Sequence, residues 1–374
     1  MKIGIDARFL THPQRGGFKS YTGAIVSALA EVDPGNEYIL YADRPCDRRL
    51  PANFRIRPVK GLNAVIREQI ALPLIMRKDG IDLAHFPCNT GPIMPFLPMI
   101  ATIHDTIPLS RREYGSRKQR LLNLYWRAVM PLCARRARFV LTVSDYIASD
   151  LEHVLGLKRK KIRVVHNSVD PLFCGDDPGK KPAQIEEGMG FILAFASADG
   201  RKNHKGVMRA YKILRPEFAG LKLVLVCSNA GAQADCDVGL ALKNVSNHEL
   251  LWLYRNAVAF VFPSFDEGFG LPPLEAMACG TPVVSSEAGA LTEVVSGCAI
   301  PVDPNDPHSI ADGLRAALTD QLLRAQLIES GRDRASQFTR RRMGERLLAA
   351  YSEALHSSLI THHASRITNH GSRQ

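Results

Sequence analysis

The chain has 374 residues, 45% hydrophobic and 23% charged, which is enough for two globular domains at roughly 100–200 residues each. No apolar run approaches the roughly 20 residues of a membrane span and no apolar leader follows Met1, so a cytoplasmic protein is expected, peripheral at most on the inner face of a membrane. A net charge of +11 leaves nucleic acid, an anionic membrane surface and anionic small substrates as partner classes, while eight scattered cysteines without CxxC or Cys/His spacing argue against a zinc or disulfide framework.

Apolar runs at 2–6, 38–41, 83–86, 99–103, 139–143 and 162–165 read as strands, with helices at 18–31, 116–134 and 144–155 between them. This alternation predicts an α/β domain with a doubly wound parallel sheet over residues 1–173. The polar, turn-rich stretch 174–187 reads as a linker. A second α/β series fills 188–335, with strands at 191–195, 221–226, 258–262 and 282–284. Its helices fall at 203–214, 246–256, 271–279, 308–318 and 320–330, and Ser246 with Glu249 has capping-box spacing. A last helix lies at 343–355 within 336–357, its return to the first domain left open. Residues 358–374 lack apolar periodicity and are expected to be a disordered tail, its histidines incidental.

The run from Pro263 to Val284 carries the most chemistry. It reads as a strand end, a glycine-bearing loop and a helix opened by Pro272 and Pro273, where missing N–H groups cost little. The N–H groups of a helix start attract phosphate, and Gly268 and Gly270 let the backbone approach a ligand closely. Glu267 and Glu275 flank that anion site, where each can accept paired hydrogen bonds from a sugar diol; the bland alternatives are a solvated loop acid and a first-turn helix carboxylate. The combination suits a nucleotide-sugar diphosphate.

Ligands of open parallel sheets bind outside the carboxyl ends of the strands. Glu267, the 199–205 loop with Arg201, Lys202 and Lys205, the pair His104-Asp105, and the loop with Gly16 and Gly17 all follow strand ends, so they are expected to face one cleft between the domains. Cations at 201, 202 and 205 would stabilise a departing diphosphate, although a solvated first-turn residue is an equal reading for Lys205. His104 would hydrogen-bond substrate and Asp105 would orient its loop.

The string from Pro263 to Val284 resembles the E-x7-E hallmark of the family-4 retaining glycosyltransferases with the GT-B fold, two Rossmann-like domains facing across a cleft. The likeness runs from Met1 to about Ser357 and includes Thr102-Ile103-His104-Asp105, His166-Asn167-Ser168-Val169-Asp170 and Arg201-Lys202-Asn203. It is similar above all to the branch that builds bacterial surface polysaccharides, many members of which are mannosyltransferases. The resemblance implies that Glu267 contacts a donor ring hydroxyl and that Glu275 holds the ribose hydroxyls. It further implies that the N–H groups of Phe269, Gly270 and Leu271 meet sugar and phosphate, that Lys202 is the phosphate lysine with Arg201 beside it, and that His104 lies near donor and acceptor. The donor implied is GDP-mannose or a UDP-sugar and the acceptor a saccharide or lipid-linked saccharide, with no cofactor and no metal. Residues 227–245 are shorter than is usual in the family, which leaves the base preference open.

Residues 111–138 hold nine basic side chains against Glu113 alone, interleaved with apolar ones, and read either as a helix lying on an anionic bilayer or as a core helix with a solvated basic face. Two other functions compete. A nucleotide-sugar epimerase on the same fold would consume no acceptor, and a nucleic-acid-binding protein would explain the charge but shows none of the usual motifs.

Overall fold

The computed structural model describes residues 1–11, 16–45, 49–59, 63–110, 117–197, 199–227 and 239–370. The chain forms two compact units, Met1–His166 with Arg340–Gln374 and Asn167–Thr339. The first junction therefore falls before residue 173, and the stretch 174–187 is not a linker. Lys180 N donates to His248 O at 2.9 Å, Arg255 donates to Gly175 O, and Gly179 lies against the Trp252 backbone. These bonds tie the turn-rich stretch to the helix Asn247–Asn256 of the second unit. Turn-forming residues shape it, and backbone hydrogen bonds hold it.

The first unit holds seven parallel strands: β1 (Lys2–Asp6), β2 (Glu37–Ala42), β3 (Phe54–Pro58), β4 (Leu83–Phe86), β5 (Met99–Thr102), β6 (Phe139–Thr142) and β7 (Ile162–Val164). Their order is β3-β2-β1-β4-β5-β6-β7, so the winding reverses between β1 and β4, with Ile3 paired to Leu83 on one side and to Tyr38 on the other. Helices cover both faces, which is why β4, β5 and β6 are buried at every position. Helix Gly17–Val32 follows β1, and helix Asp145–Leu155 starts on the Ser144 hydroxyl, which accepts from Ile147 N, and stops at a left-handed Gly156. The last helix, Arg340–His370, packs on Gly17–Val32 and on β4 and β5. It runs beyond residue 357, where a disordered tail was expected. No Gly or Pro interrupts residues 345–370, so the backbone can continue as helix even where apolar periodicity has ended.

The second unit repeats the plan with β8 (Phe191–Ala196), β9 (Lys222–Cys227), β10 (Leu240–Lys243), β11 (Ala259–Phe262), β12 (Val283–Ser285) and β13 (Ile300–Pro301) in the order β10-β9-β8-β11-β12-β13. All pairs are parallel and the reversal lies between β8 and β11. Helix Asn247–Asn256 opens with the capping box of Ser246 and Glu249. The architecture is two doubly wound parallel sheets, the α/β class read from the alternation of elements.

Candidate functional site

In the second unit the crevice of a doubly wound sheet opens where the winding reverses, at the carboxyl ends of β8 and β11. The loop after β8 carries Arg201 and Lys202 in a single 3-10 turn, Gly200–Lys202, capped by the Asp199 carboxylate. Asn203 then takes a left-handed conformation at φ 51°, which Asn tolerates better than most residues, and caps the helix His204–Leu214. Its side chain uses both ends: Nδ2 donates to Pro263 O at 3.1 Å and Pro304 O at 2.6 Å, while Oδ1 accepts from Gly206 N.

The loop after β11 is stitched to this turn. Phe265 N donates to Arg201 O at 2.8 Å, and the fully buried Ser264 hydroxyl lies 2.9 Å from the same oxygen. Ser264 also donates to Glu267 Oε1 at 2.8 Å, and Lys202 Nζ donates to that oxygen at 2.5 Å while sitting 4.9 Å from the Phe262 ring centroid. One carboxylate oxygen thus takes a cation and a hydroxyl. Arg201 is held by Asp199, with Nε 2.8 Å from Oδ2. Arg201 and Lys202, read in the sequence as cations for a departing diphosphate, are each paired with a carboxylate, Asp199 and Glu267. Lys205 is exposed on the second residue of its helix.

The loop after β12 closes the far side. Ala290 N donates to Glu267 O at 3.0 Å, and Gly289 has φ +62° with its missing Cβ position only 2.8 Å from that same carbonyl. Any side chain there would push against the backbone that carries Glu267.

Gly270 is the left-handed N-cap, φ 110°, of the helix Leu271–Ala278. Pro272 and Pro273 have no N–H, so the donors at this helix start are backbone groups at and before Leu271. Phe269 contributes only its backbone to such a set, because its ring is buried edge-on against Phe338 at 5.6 Å. Glu275 is the fifth helical residue, beyond the first turn, so the first-turn reading of it does not hold. Its half-buried carboxyl accepts from Tyr254 OH at 3.1 Å. Burial, with Asp170 adding repulsion, pushes its pKa up to about 7 against the lowering effect of that hydrogen bond.

In the first unit His104 follows β5. Its Nε2 lies 2.8 Å from Pro87 O, which only accepts, so Nε2 carries the proton and Nδ1 is the acceptor atom. Burial holds its pKa down at about 4, so the ring is neutral at pH 7. Tyr21 packs edge-on at 4.3 Å, and the backbone N–H of His104 donates to Asn89 Oδ1 at 2.8 Å. Asp105 accepts from Ile107 N and orders its own loop, as expected of it. Gly16 is an extended N-cap, and a Cβ on Gly16 or Gly17 would meet no atom within 4 Å, so no local contact requires glycine at either position. Arg15, in the same loop, lies outside the described residues, as do residues 111–116 of the basic stretch.

Sequence reasoning missed several members of these clusters. Tyr254 is brought to Glu275, the Ser264 hydroxyl to Glu267 and Gly289 to the Glu267 carbonyl by the fold alone. In the first unit it missed a buried network around the π-turn Arg67–Ala71. Arg67 donates to Asp6 at 2.7 Å, Arg8 pairs with both Asp6 and Glu68, and Thr90 and Tyr125 donate to Glu68 at 2.9 and 2.6 Å. Burial would raise the Asp6 pKa, but Arg8 and Arg67 hold it below the usual carboxylate range. π-turns are rare enough that one beside a sheet reversal is a signal sequence periodicity does not carry.

The model for Glycosyltransferase Family 4 matches residues 15–172, and that for Glycosyl transferases group 1 matches 177–334. The chain belongs to the GT-B glycosyltransferases. An O-antigen chain mannosyltransferase of Salmonella typhimurium is 31% identical over 56% of this chain and 62% of its own length. An Escherichia coli O-antigen chain mannosyltransferase is 29% identical over 64% of this chain and 66% of its own. The chain therefore spans just under two thirds of these relatives. A crystal structure of Anabaena HepE in complex with UDP-glucose superposes with a TM-score of 0.69 at 15% identity, covering 94% of this chain and 100% of that one, a likeness of fold.

Proposed function

We propose that this chain transfers a hexosyl group, mannose, from a nucleoside-diphosphate sugar to a saccharide acceptor, with retention of configuration, in the synthesis of a surface polysaccharide. The observation that carries the reading is the salt link between Lys202, in the loop after β8, and Glu267, in the loop after β11, at the sheet reversal, with Glu275 on the helix that the second loop leads into. Mannose is supported by the names of the two O-antigen relatives, and GDP is the nucleotide that the family resemblance implies. That the Anabaena neighbour is crystallised with UDP-glucose supports a nucleotide sugar as the donor class.

On this reading the pyrophosphate takes Lys202 from Glu267, with Arg201 beside it and the N–H groups of Phe269, Gly270 and Leu271 completing the anion site. Glu267, released from its cation, accepts from a sugar hydroxyl, and Glu275 accepts from the ribose. As the glycosidic bond breaks, charge grows on the leaving phosphate, and a fixed cation there lowers the barrier. The leaving phosphate oxygen takes the acceptor's proton on the same face. His104 Nδ1 accepts from a substrate hydroxyl and, being neutral, adds no charge. The residues orient and neutralise, and no enzyme nucleophile is required.

Thermal-shift titration with GDP, UDP, ADP and their sugars tests the donor, because a ligand bound only by the folded state raises the midpoint. GDP and GDP-mannose are expected to give the largest shift. Product analysis with a mannosylated acceptor then separates transfer from epimerisation: consumption of the acceptor with an α-linked product supports the reading, and an altered nucleotide sugar with the acceptor untouched refutes it.

A further inference from the structure

The residues that open β5, β6 and β7 surround a pocket of about 1020 Å³ at the amino edge of the first unit's sheet, the edge opposite the one that carries His104. Arg135, Arg136, Arg138, Lys160 and Lys161 line it, and no acidic residue does. Among the described residues the side chains of Arg135, Arg136, Arg138 and Lys160 meet no carboxylate. Positive charges collected this closely repel one another, and a polyanionic partner relieves that repulsion.

The rim of the same pocket is apolar. Met94 is 70% exposed and Phe96 49% exposed, in a loop held by Pro92, Pro95 and Pro98. Proline fixes the backbone, and the flanking Ile93 and Leu97 pack on the core. Leu132, 45% exposed, lies one helical turn before Arg135. An exposed apolar side chain alone is ordinary, but several around a cationic pocket mark a surface for an amphiphile. Nucleic acid or free phosphate would use the charges and leave the apolar rim without a role.

We propose that this pocket docks the protein on an anionic phospholipid bilayer, the five cations taking lipid phosphates while Met94 and Phe96 enter the boundary between headgroups and acyl chains. No helix among the described residues is long and apolar enough to cross a membrane, so attachment here is by contact. The surface differs from the one read in residues 111–138. It keeps only the end of that stretch and adds Lys160 and Lys161 from the other side of β6. The proposal stands independently of the sugar-transfer reading.

Co-sedimentation of the full chain at low salt with vesicles of phosphatidylglycerol in phosphatidylcholine, against phosphatidylcholine alone, tests it. Binding to the anionic vesicles only is expected, and the doubly substituted Arg136→Glu, Lys160→Glu protein is expected to lose at least about tenfold in partitioning. Met94→Ser with Phe96→Ser, which leaves the charge unchanged, is expected to lose about tenfold as well. These side chains are exposed, and an unchanged melting midpoint certifies the fold. Should a variant melt early, the Phe96→Trp protein supplies an independent reading, with a blue shift of emission expected on anionic vesicles. Indifference of the parent to phosphatidylglycerol, variants that bind like the parent, or no emission shift overturns the proposal. So does displacement by millimolar inorganic phosphate, which marks a soluble-anion site, or binding to duplex DNA with vesicles ignored.

Discussion

Burial pushes the Glu275 carboxyl up to about 7, so it titrates in the range where the proposed ribose contact needs it charged. Hydroxyls that donate to a carboxylate favour its ionised form, so nucleotide binding should expel the proton, and affinity should fall as the pH drops through 7. Calorimetric titration with the nucleotide is expected to show about a tenfold weaker dissociation constant at pH 6 than at pH 8, and a flat profile for Glu275→Gln. The stability effect has the opposite sign. A folded-state pKa above the unfolded value means the folded chain binds more protons between about pH 4.5 and 7, so the parent loses stability across that window as pH rises. Without nucleotide, Glu275→Gln should therefore be more stable than the parent at pH 8, by about 1–3 kcal/mol, and equal to it near pH 4, as chemical denaturation can measure. His104, held at about 4, should leave no mark on the activity profile above pH 5. The exchange of Lys202 between Glu267 and phosphate makes a second prediction. Lys202→Ala should cut kcat by about 10²–10³-fold. Glu267→Gln should also cut kcat, yet bind the nucleoside diphosphate at least as tightly as the parent, because it frees the lysine. Equal losses of nucleotide affinity in both variants would refute that exchange. Glu267, Glu275, Lys202 and His104 stand out in the sequence as candidates because a motif carries them. Tyr254 and Ser264 were not, since an isolated Tyr or Ser has no pattern until the fold places its hydroxyl on a carboxylate.

Among the elements, the strands that sequence patterning missed are edge strands, although β7, also at an edge, was read from its apolar run. Strands with two neighbours, such as β8 and β11, are covered on both faces and read as continuous apolar runs. The three missed strands, β3, β10 and β13, all lie at sheet edges. β3, Phe-Arg-Ile-Arg-Pro, is only partly buried, and β13 is two residues long, so neither offers a run to detect. The helical stretch from Ala64 to Lys78 escaped for another reason. Its π-turn breaks the 3.6-residue period, its Arg67 and Glu68 are buried, and its Ile66, Ile70 and Leu74 are exposed, which inverts the usual pattern. The loops after β8, β11 and β12 owe their geometry to a few backbone positions. Gly289→Ala is expected to cost about 1–3 kcal/mol in stability through its positive φ and its closeness to the Glu267 carbonyl, and to lower kcat with it. Asn203→Ala, which strands the Pro263 and Pro304 carbonyls, should cost a similar amount. Urea unfolding with nucleotide-binding assays checks both. A Gly289→Ala protein with parental stability and activity would mean that the loop after β12 does not support Glu267.

The whole molecule repeats one plan twice, and its last helix belongs to the unit that begins the chain. Met343, Leu347, Tyr351 and Ala354 are buried there, and Tyr351 OH lies 2.7 Å from His85 Nδ1 in the middle of the first sheet. Burial holds His85 down at about 3, so it stays neutral and needs both Tyr351 and Thr102 as partners. Tyr351→Phe should cost about 1–3 kcal/mol, and a chain cut after Thr339 should lose the cooperative unfolding of the first unit while the second retains its own, as hydrogen exchange resolved by unit would record. The most direct test of the account is a crystal structure with an intact sugar nucleotide. It is expected to show a phosphate oxygen within hydrogen-bond distance of Lys202 Nζ, with the salt link to Glu267 opened and the ribose hydroxyls on Glu275. A nucleotide seated elsewhere, with Lys202 still bonded to Glu267, would contradict it.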